Sequence, residues 1–505
     1  MHAVAPDTGT VAQRESGKKL YQKKCAGCHG EAGDGQGPAT PFLIPMPRDL
    51  TSGSFKIRTT PSGEMPTTQD LIEITRRGMP FTGMTPWSRL SDRELSEVVY
   101  YMKTFDEVFA DSEVLVDPFP IPDAPPFSQG SAEKGLKIYE KNGCASCHGV
   151  FGKGDGLSAP TSEDASGKMI RPADLTRLWT FRGGGNRRDI FRTIYAGMDG
   201  TPMAAYGELI VTADLWHLVN YIYSMGDNDT AYVTQVNAHP VGGVIDLSRG
   251  QSIFKNAVAA RLPVVGQIIE PGRTFFPGVH TIEVKAVYNG SHIALMLSWH
   301  DMSAEKEGKN SPAVEVPRFD PDAEKPSELF SDAVAVQFPS RLPQGFRKPY
   351  FLFGDSGRSV DIWFADLAEQ SAGFFLGKGS DNITREDGEI EVVSNYKDGE
   401  WQVIFKGPRK RTGEKTFQED EFIPVAFSVW DGFSKERGNT RGITSWYSLY
   451  MQPPVPAAPL ITAIKCALGV LLLELLLVYA VRKKTPSPEL RQPFFCLIVT
   501  KNRII

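Results

Sequence analysis

Cysteine is scarce in this chain of 505 residues: there are six, and four of them fall in two CxxC pairs. Cys466 and Cys496 remain, which is too few for a disulfide framework, so the fold must rest on ordinary cores and on whatever the paired cysteines bind. An excess of basic charge is also missing. Lys and Arg number 55 against 60 Asp and Glu, a formal charge of −5. No basic patch carries interleaved aromatics, so nothing supports nucleic-acid binding. Met1 to Thr10 lacks an apolar run, and a secretory leader is expected to be absent from this version of the chain. The length predicts about three domains.

What the chain does have is a pair of CxxCH motifs, Cys25-Ala26-Gly27-Cys28-His29 and Cys144-Ala145-Ser146-Cys147-His148. Two cysteines at this spacing can each form a thioether to a haem vinyl group, and the histidine that follows places an imidazole beneath the iron. A lone copy reads as well as a zinc half-site or a redox dithiol. Two copies with matched downstream residues read as two covalently held haems. His29 and His148 lie 119 positions apart, as do Gly78 and Gly197, and Met84 and Met203. The segments are therefore an internal duplication. Each copy opens with a helix-like stretch (Gly17 to Tyr21, Gly135 to Tyr139) and continues through a glycine-rich loop, Gly33-Asp34-Gly35 or Gly154-Asp155-Gly156. An Asp-Leu-Thr run follows, at Asp49 and at Asp174. Amphipathic helices are predicted to close the copies, over Asp92 to Phe105 and Ala213 to Met225.

This layout resembles class I cytochromes c over residues 11–110 and 130–227, which implies two all-α domains and two haem c groups. Haem attachment in that family takes place outside the cytoplasm. The family's second axial ligand is a methionine from a loop just before the last helix. Met79 and Met84 compete for that place in the first copy, Met198 and Met203 in the second. Met84 and Met203 are preferred, because each lies three residues before an aromatic, Trp87 and Tyr206; the others then pack near the haem edge. The expected ligand sets are Cys25, Cys28, His29 and Met84, and Cys144, Cys147, His148 and Met203. His/Met ligation leaves no open iron position and suits electron relay, not substrate chemistry.

Residues 228–452 have another texture: short alternating strands with turn signals. Thr281 to Tyr288 and His292 to Trp299 flank Asn289-Gly290, a strong hairpin signal. A second hairpin is predicted at Glu391 to Tyr396 and Trp401 to Lys406, around Lys397-Asp398-Gly399-Glu400. Further strands are predicted at 333–338, 359–364, 423–430 and 443–450. So many strands without helices between them predict an antiparallel β-sandwich. Trp299-His300-Asp301, Asp332 to Pro339, Val360-Asp361-Ile362-Trp363, Asp398 to Val403, Pro424 to Gly432 and Ser445-Trp446 carry a second likeness. In order and spacing they resemble the haem b-binding γ subunits of type II dimethyl sulfoxide reductase-like molybdoenzymes. That group includes ethylbenzene dehydrogenase, with related domains in chlorate reductases and nitrite oxidoreductases. The resemblance implies a haem b held by a methionine and a lysine. Met296, Met302, Lys406 and Lys435 are candidates, but the methionine expected within Tyr350 to Gly354 is not there. Two options stay open: a third haem with other ligands, or a sandwich that has lost the cofactor and serves for docking.

From Pro459 to Ala480 the chain is nearly all apolar. These residues span roughly 33 Å as a helix, enough to cross a bilayer core. Arg482, Lys483 and Lys484 follow, so the C-terminus is expected in the cytoplasm and the N-terminal bulk on the periplasmic side. Pro453, Pro454, Pro456 and Pro459 form a stiff spacer before the helix. The tail from Pro486, with Phe494-Phe495-Cys496, has no reading.

These parts assemble into a wire. The expected protein is a membrane-anchored multihaem cytochrome subunit, not itself an enzyme. It would pass electrons between a molybdopterin oxidoreductase, with its catalytic and iron–sulfur subunits, and a soluble cytochrome or oxidase of the respiratory chain. Two rivals are a dihaem subunit of a terminal oxidase and a dihaem peroxidase, the latter needing one iron with a labile position. Within the apolar span Lys465 can snorkel, but Glu474 sits deeper, where a carboxylate costs on the order of 3 kcal/mol. Nine residues separate the two, which places them on opposite helix faces. A polar contact from Glu474 to a partner's transmembrane helix would offset that cost. Glu474→Leu should then weaken co-purification with the membrane partner; unchanged association removes the contact.

Overall fold

Each CxxCH motif rides on one short helical turn held beneath a longer helix. In the first repeat, α1 (Val11–Lys24) opens on a capping box between Thr10 and Gln13 and runs into α2 (Ala26–His29). α3 (Thr68–Arg77) and α4 (Asp92–Met102) open on capping boxes at Thr67 and Ser91. The second repeat repeats the series: α5 (Gln129–Lys141), α6 (Ala145–His148), α7 (Arg187–Ala196) and α8 (Thr212–Met225). The computed structural model describes residues 7–43, 45–110, 116–165, 167, 169–226, 232–316, 328–343, 347–369, 371–410, 417–454 and 459–484. Pro456 and the tail with Cys496 lie outside them.

Glycine sets the helix crossings. A Cβ on Gly17 of α1 would lie 1.9 Å from the Glu97 carbonyl of α4, and one on Gly135 of α5 would lie 2.0 Å from the His217 carbonyl of α8. The backbones therefore approach as closely as only glycine permits. Two fully buried tyrosines then fix the haem-motif turns: Tyr21 Oη donates to Gly30 O at 2.8 Å, and Tyr139 Oη to Gly149 O at 2.6 Å. Arg58, itself buried, ties the first repeat to the second by donating to Ala196 O (3.0 Å) and Asp199 Oδ1 (2.8 Å).

Residues beyond the second repeat form a large sheet. Its strands are β1 (Gln235–Pro240), β2 (Ala260–Pro263), β3 (Val265–Gly266), β4 (Thr281–Tyr288), β5 (His292–His300), β6 (Ala333–Pro339) and β7 (Val360–Asp366). These are followed by β8 (Ser371–Gly377), β9 (Ile383–Glu386), β10 (Glu391–Lys397), β11 (Glu400–Pro408), β12 (Phe422–Trp430), β13 (Gly442–Ile443) and β14 (Tyr447–Met451). The main path runs β10-β11-β5-β4-β1-β14-β12-β6-β7-β8-β9. β12 turns the corner, pairing with β14 through Phe422–Val425 and with β6 through Ala426–Trp430. One apolar core results: Val284, Leu297 and Val403 from one limb meet Val334, Val336 and Trp363 from the other.

Both predicted hairpins form, β4–β5 and β10–β11. The second is tighter than expected. Lys397 pairs with Glu400, leaving only Asp398 (φ 53°) and Gly399 (φ 77°) as the turn, the left-handed pair that matches strand twist. The stretch 443–450 divides into β13 and β14. The antiparallel expectation needs correction, because β1 is parallel to both its neighbours, β14 and β4. Forty residues separate β1 from β4, ample for the crossover that a parallel pair requires. The sheet is therefore mixed.

The helical repeats and the sheet together make one compact unit, Met1–Gln452, and Pro453 onward a second. In the second unit α9 (Pro459–Lys484) contains Ala463–Lys483, a segment long and apolar enough to cross a membrane. Replacing Gly17 or Gly135 by Leu should prise α1 from α4, or α5 from α8, and lower stability by about 2–3 kcal/mol. Denaturant unfolding of each variant against the unaltered protein checks this; an unchanged midpoint would show that the crossings tolerate a side chain.

Candidate haem sites

The two histidines are held alike. His29 Nδ1 lies 2.9 Å from Arg48 O, and His148 Nδ1 lies 2.9 Å from Ala173 O. A carbonyl can only accept, so Nδ1 carries the proton and Nε2 keeps its lone pair for a metal. Burial lowers the pKa of both imidazoles, which favours this neutral form. Burial also pushes the Cys25 and Cys144 thiols up to about 11. They stay protonated and inert towards oxidation until they are attached.

The loops after the histidines are wound by the same bonds. Gly35 N donates to His29 O at 2.9 Å and Gly154 N to His148 O at 2.8 Å. Gly30 (φ 77°) and Gly149 (φ 79°) begin these turns, and a Cβ there would strike Asp34 or Asp155. The hydrogen bonds keep the spacing of 119, pairing Gly33 with Gly152 and Gly35 with Gly154. The Gly-Asp-Gly tripeptide thus sits two residues later in the second copy. Arg48 and Ala173 are 125 apart, so the second loop is six residues longer before the spacing returns at Gly78 and Gly197.

Both methionine loops are pinned at the neck. Met79 N donates to Met84 O at 2.9 Å, and Met198 N to Met203 O at 3.0 Å. Thr82 Oγ1 donates to Met79 O and accepts from Met84 N; Thr201 bridges Met198 and Met203 in the same way. Gly78 and Gly197 precede these necks because a Cβ there would lie 2.6–2.8 Å from the backbone of Met84 or Met203. The methionine pairs are thus fixed at matching places in the two repeats.

Sequence spacing did not reveal that the two seats share one space. A single cavity of about 1810 Å³ is lined by Cys25, Cys28, His29 and Met84 and also by Cys144, Cys147, His148 and Met203. Met79 and Met198 lie on the same walls. An ordinary ligand cleft is roughly 300–1,000 Å³, so this space suits two large apolar groups lying near each other. The donor set on the walls fits two haem c groups.

Two of the candidates for haem b are otherwise engaged. Met296 is buried among Ile245, Leu247, Phe254 and Ile404, while Lys406 Nζ pairs with Glu391 at 2.7 Å. Lys435 lines the cavity shared by the CxxCH motifs, and Met302 follows Asp301 at the end of β5. His280 is structural. It is buried among the rings of Phe81, Trp179 and Phe276, joining the first methionine loop and the second repeat to the sheet.

The family model for cytochrome c matches residues 15–106 and 132–226. Both matched segments fall on the helical repeats. A protein of Haloferax mediterranei named as a respiratory nitrate reductase haem subunit is 21% identical over 183 residues, 36% of this chain and 59% of its own length. A Cbb3-type cytochrome c oxidase subunit CcoP of Azospirillum sp. is 25% identical over 222 residues, 42% of this chain and 61% of its own length. The chain thus spans about 60% of the length of these curated relatives. A chain of the reducing HAO-like protein complex of Kuenenia stuttgartiensis is 35% identical, with a TM-score of 0.41, covering 44% of this chain and all of that one. Two of these relatives are named as a haem subunit and as a cytochrome c oxidase subunit.

Burial, reinforced by Arg177 and Arg171, lowers His280 to about 3. Its folded pKa lies below the ordinary value near 6.5, so the unfolded chain binds more protons in between. Stability from this residue is present above about pH 6.5 and is lost as pH falls towards 3. His280→Phe should therefore reduce the acid sensitivity of unfolding, by on the order of 3 kcal/mol between about pH 7 and pH 4. Parallel denaturant titrations at the two pH values test this; equal slopes for both proteins would rule it out.

Proposed function

We propose that the protein is a membrane-anchored dihaem relay, with cytochrome c domains at 11–110 and 130–227 and a sheet domain at 228–452. It passes electrons between a molybdenum oxidoreductase of the nitrite-oxidising or nitrate-reducing type and a respiratory carrier. The observation that carries the reading is the one cavity into which both CxxCH motifs face. Haem c, once bound, supplies a one-electron Fe(II)/Fe(III) couple. Cys25, Cys28, Cys144 and Cys147 would tether the haems; His29 and His148, oriented by Arg48 O and Ala173 O, would each ligate an iron. Met84 and Met203, on necks clamped by Thr82 and Thr201, would supply the second ligands. Leu71, Ile74, Ile190 and Ile194 on the walls would pack against the bound haems, which limits reorganisation when charge moves.

The sheet domain is read as the docking module of the pair of options, since Met296 and Lys406 are already engaged. Arg482, Lys483 and Lys484 at the end of α9 support a topology with the cytochrome domains on the periplasmic side. The nitrate reductase haem subunit among the relatives supports the molybdoenzyme partner. The CcoP likeness supports a second reading, a dihaem subunit of a terminal oxidase. The co-purifying subunit separates them: a large molybdopterin protein favours the first, a copper–haem oxidase the second.

A pyridine haemochrome spectrum of the purified protein should show two c-type haems per chain and no b-type haem. The reduced protein should resist carbon monoxide. Met84→Ala and Met203→Ala should each open one haem to the gas, while Met79→Ala and Met198→Ala should not. Ready binding of carbon monoxide at both haems of the unaltered protein would end the relay reading.

A further inference from the structure

Away from the haem cavity's ligands, five carboxylates converge where Arg171 of the second repeat enters the sheet domain: Asp301, Glu305, Asp332, Asp431 and Glu436. All but Glu305 are at most 2% exposed. Arg171 contributes one positive charge through its contact with Asp431. Two of the acids are fully employed as acceptors. Asp332 takes hydrogen bonds from Glu305 N (2.8 Å), Gly432 N (2.9 Å) and Trp401 Nε1 (3.0 Å). Glu436 takes them from Gly278 N (2.8 Å) and Asp431 N (3.0 Å).

Asp431 meets Arg171 and accepts from Ser434 N (3.2 Å) and Ser434 Oγ (3.3 Å), whereas Asp301 and Glu305 each keep one oxygen without a donor. Asp301 Oδ2, on a side chain 98% buried, has no hydrogen-bond partner, and neither does buried Glu305 Oε2. One oxygen from each of Asp301, Glu305 and Asp431 lies within 4.8 Å of the others. The backbone is shaped around them: a Cβ on Gly278 would come within 1.7 Å of Asp431 Oδ2. Orphaned carboxylate oxygens are costly in an interior, and five acids against one guanidinium leave a large uncompensated charge. Without a further cation, burial and mutual repulsion push Asp332 up to about 9 and Asp301 and Glu436 well above the carboxylate range.

We propose that Asp301, Glu305 and Asp431 bind a calcium ion at the joint between the sheet and the second cytochrome repeat. The donors are all carboxylate oxygens, without thiolate or imidazole, which selects a hard cation over zinc or copper. The members come from the β5 end and from the turn after β12, so the ion clamps two parts of the sheet. Through Asp431 and Arg171 it also braces the segment that leads to Ala173, the acceptor for His148.

The test uses the full-length haem-loaded protein in detergent. After exchange into metal-free buffer, elemental analysis should find about one calcium per chain. EGTA should lower the unfolding temperature by roughly 5 °C or more, and calcium chloride should restore it. Asp301→Asn and Glu305→Gln, checked for unchanged haem content, should lose both the calcium and the EGTA response. If the variants do not fold, the chelation and add-back result on the unaltered protein decides alone. Absence of calcium, with no response to EGTA or to added calcium, would overturn the site and leave these carboxyls to be neutralised by protons.

Discussion

One hydrogen bond in each repeat fixes what the cytochrome region can do: imidazole Nδ1–H to a backbone carbonyl, at Arg48 and at Ala173. It sets tautomer, ring plane and basicity of the metal-facing nitrogen together. The rest of each repeat reads as support for it. Tyr21 and Tyr139 hold the turn that carries the histidine, and the glycine crossings bring the first and last helices close enough for those tyrosines to be buried. The loop that provides the carbonyl is tied back through Leu50 N to Gly33 O, and through Leu175 N to Gly152 O. A carbonyl held by backbone bonds cannot rotate away as a side-chain partner could.

The repeats share this device but are used differently. The first is attached to the second through Arg58, buried against Ala196 and Asp199. The second is attached to the sheet through Arg171 and Asp431, Lys153 and Glu400, and His300 and Asp155. Counting back from Ala173 and Arg48, the position of Arg171 is held by Met46 in the first repeat. A cation stands where the sheet offers buried acids, and a thioether stands where it does not. The second repeat thus meets the sheet through charge, whereas the first meets it through the Phe81 ring against Phe276 and His280.

What was legible in the sequence follows from range. The CxxCH motifs, the repeat and the Asn289-Gly290 hairpin are local, so spacing and turn chemistry were enough. β8 and β9 were missed because Ser371, Gly373 and Gly377 dilute the alternation, and Ile383–Glu386 is a mostly exposed edge. The parallel placement of β1 was hidden because its partners lie about 50 and 210 residues downstream. Asp398-Gly399 was read within a longer loop, although the pair has the residue types of a two-residue turn; pairing of Lys397 with Glu400 decided it. Arg58, Arg171 and the acid group from Asp301 to Glu436 have no local signature, because each is meaningful only through distant partners.

The shared cavity adds an argument that neither motif supplies alone. Two separate cytochrome seats would need outside partners to exchange charge, whereas here both repeats line one space of about 1810 Å³. Exchange within it needs no diffusion and little solvent rearrangement. Substrate turnover would call for a free coordination position. The methionine necks oppose that, since opening either means breaking the backbone bond between Met79 and Met84, or Met198 and Met203, together with its threonine bridge. In the proposed relay the direction of charge is set by relative potentials, and the charged seam with the sheet on the side of His148 is one difference between the seats that would move them.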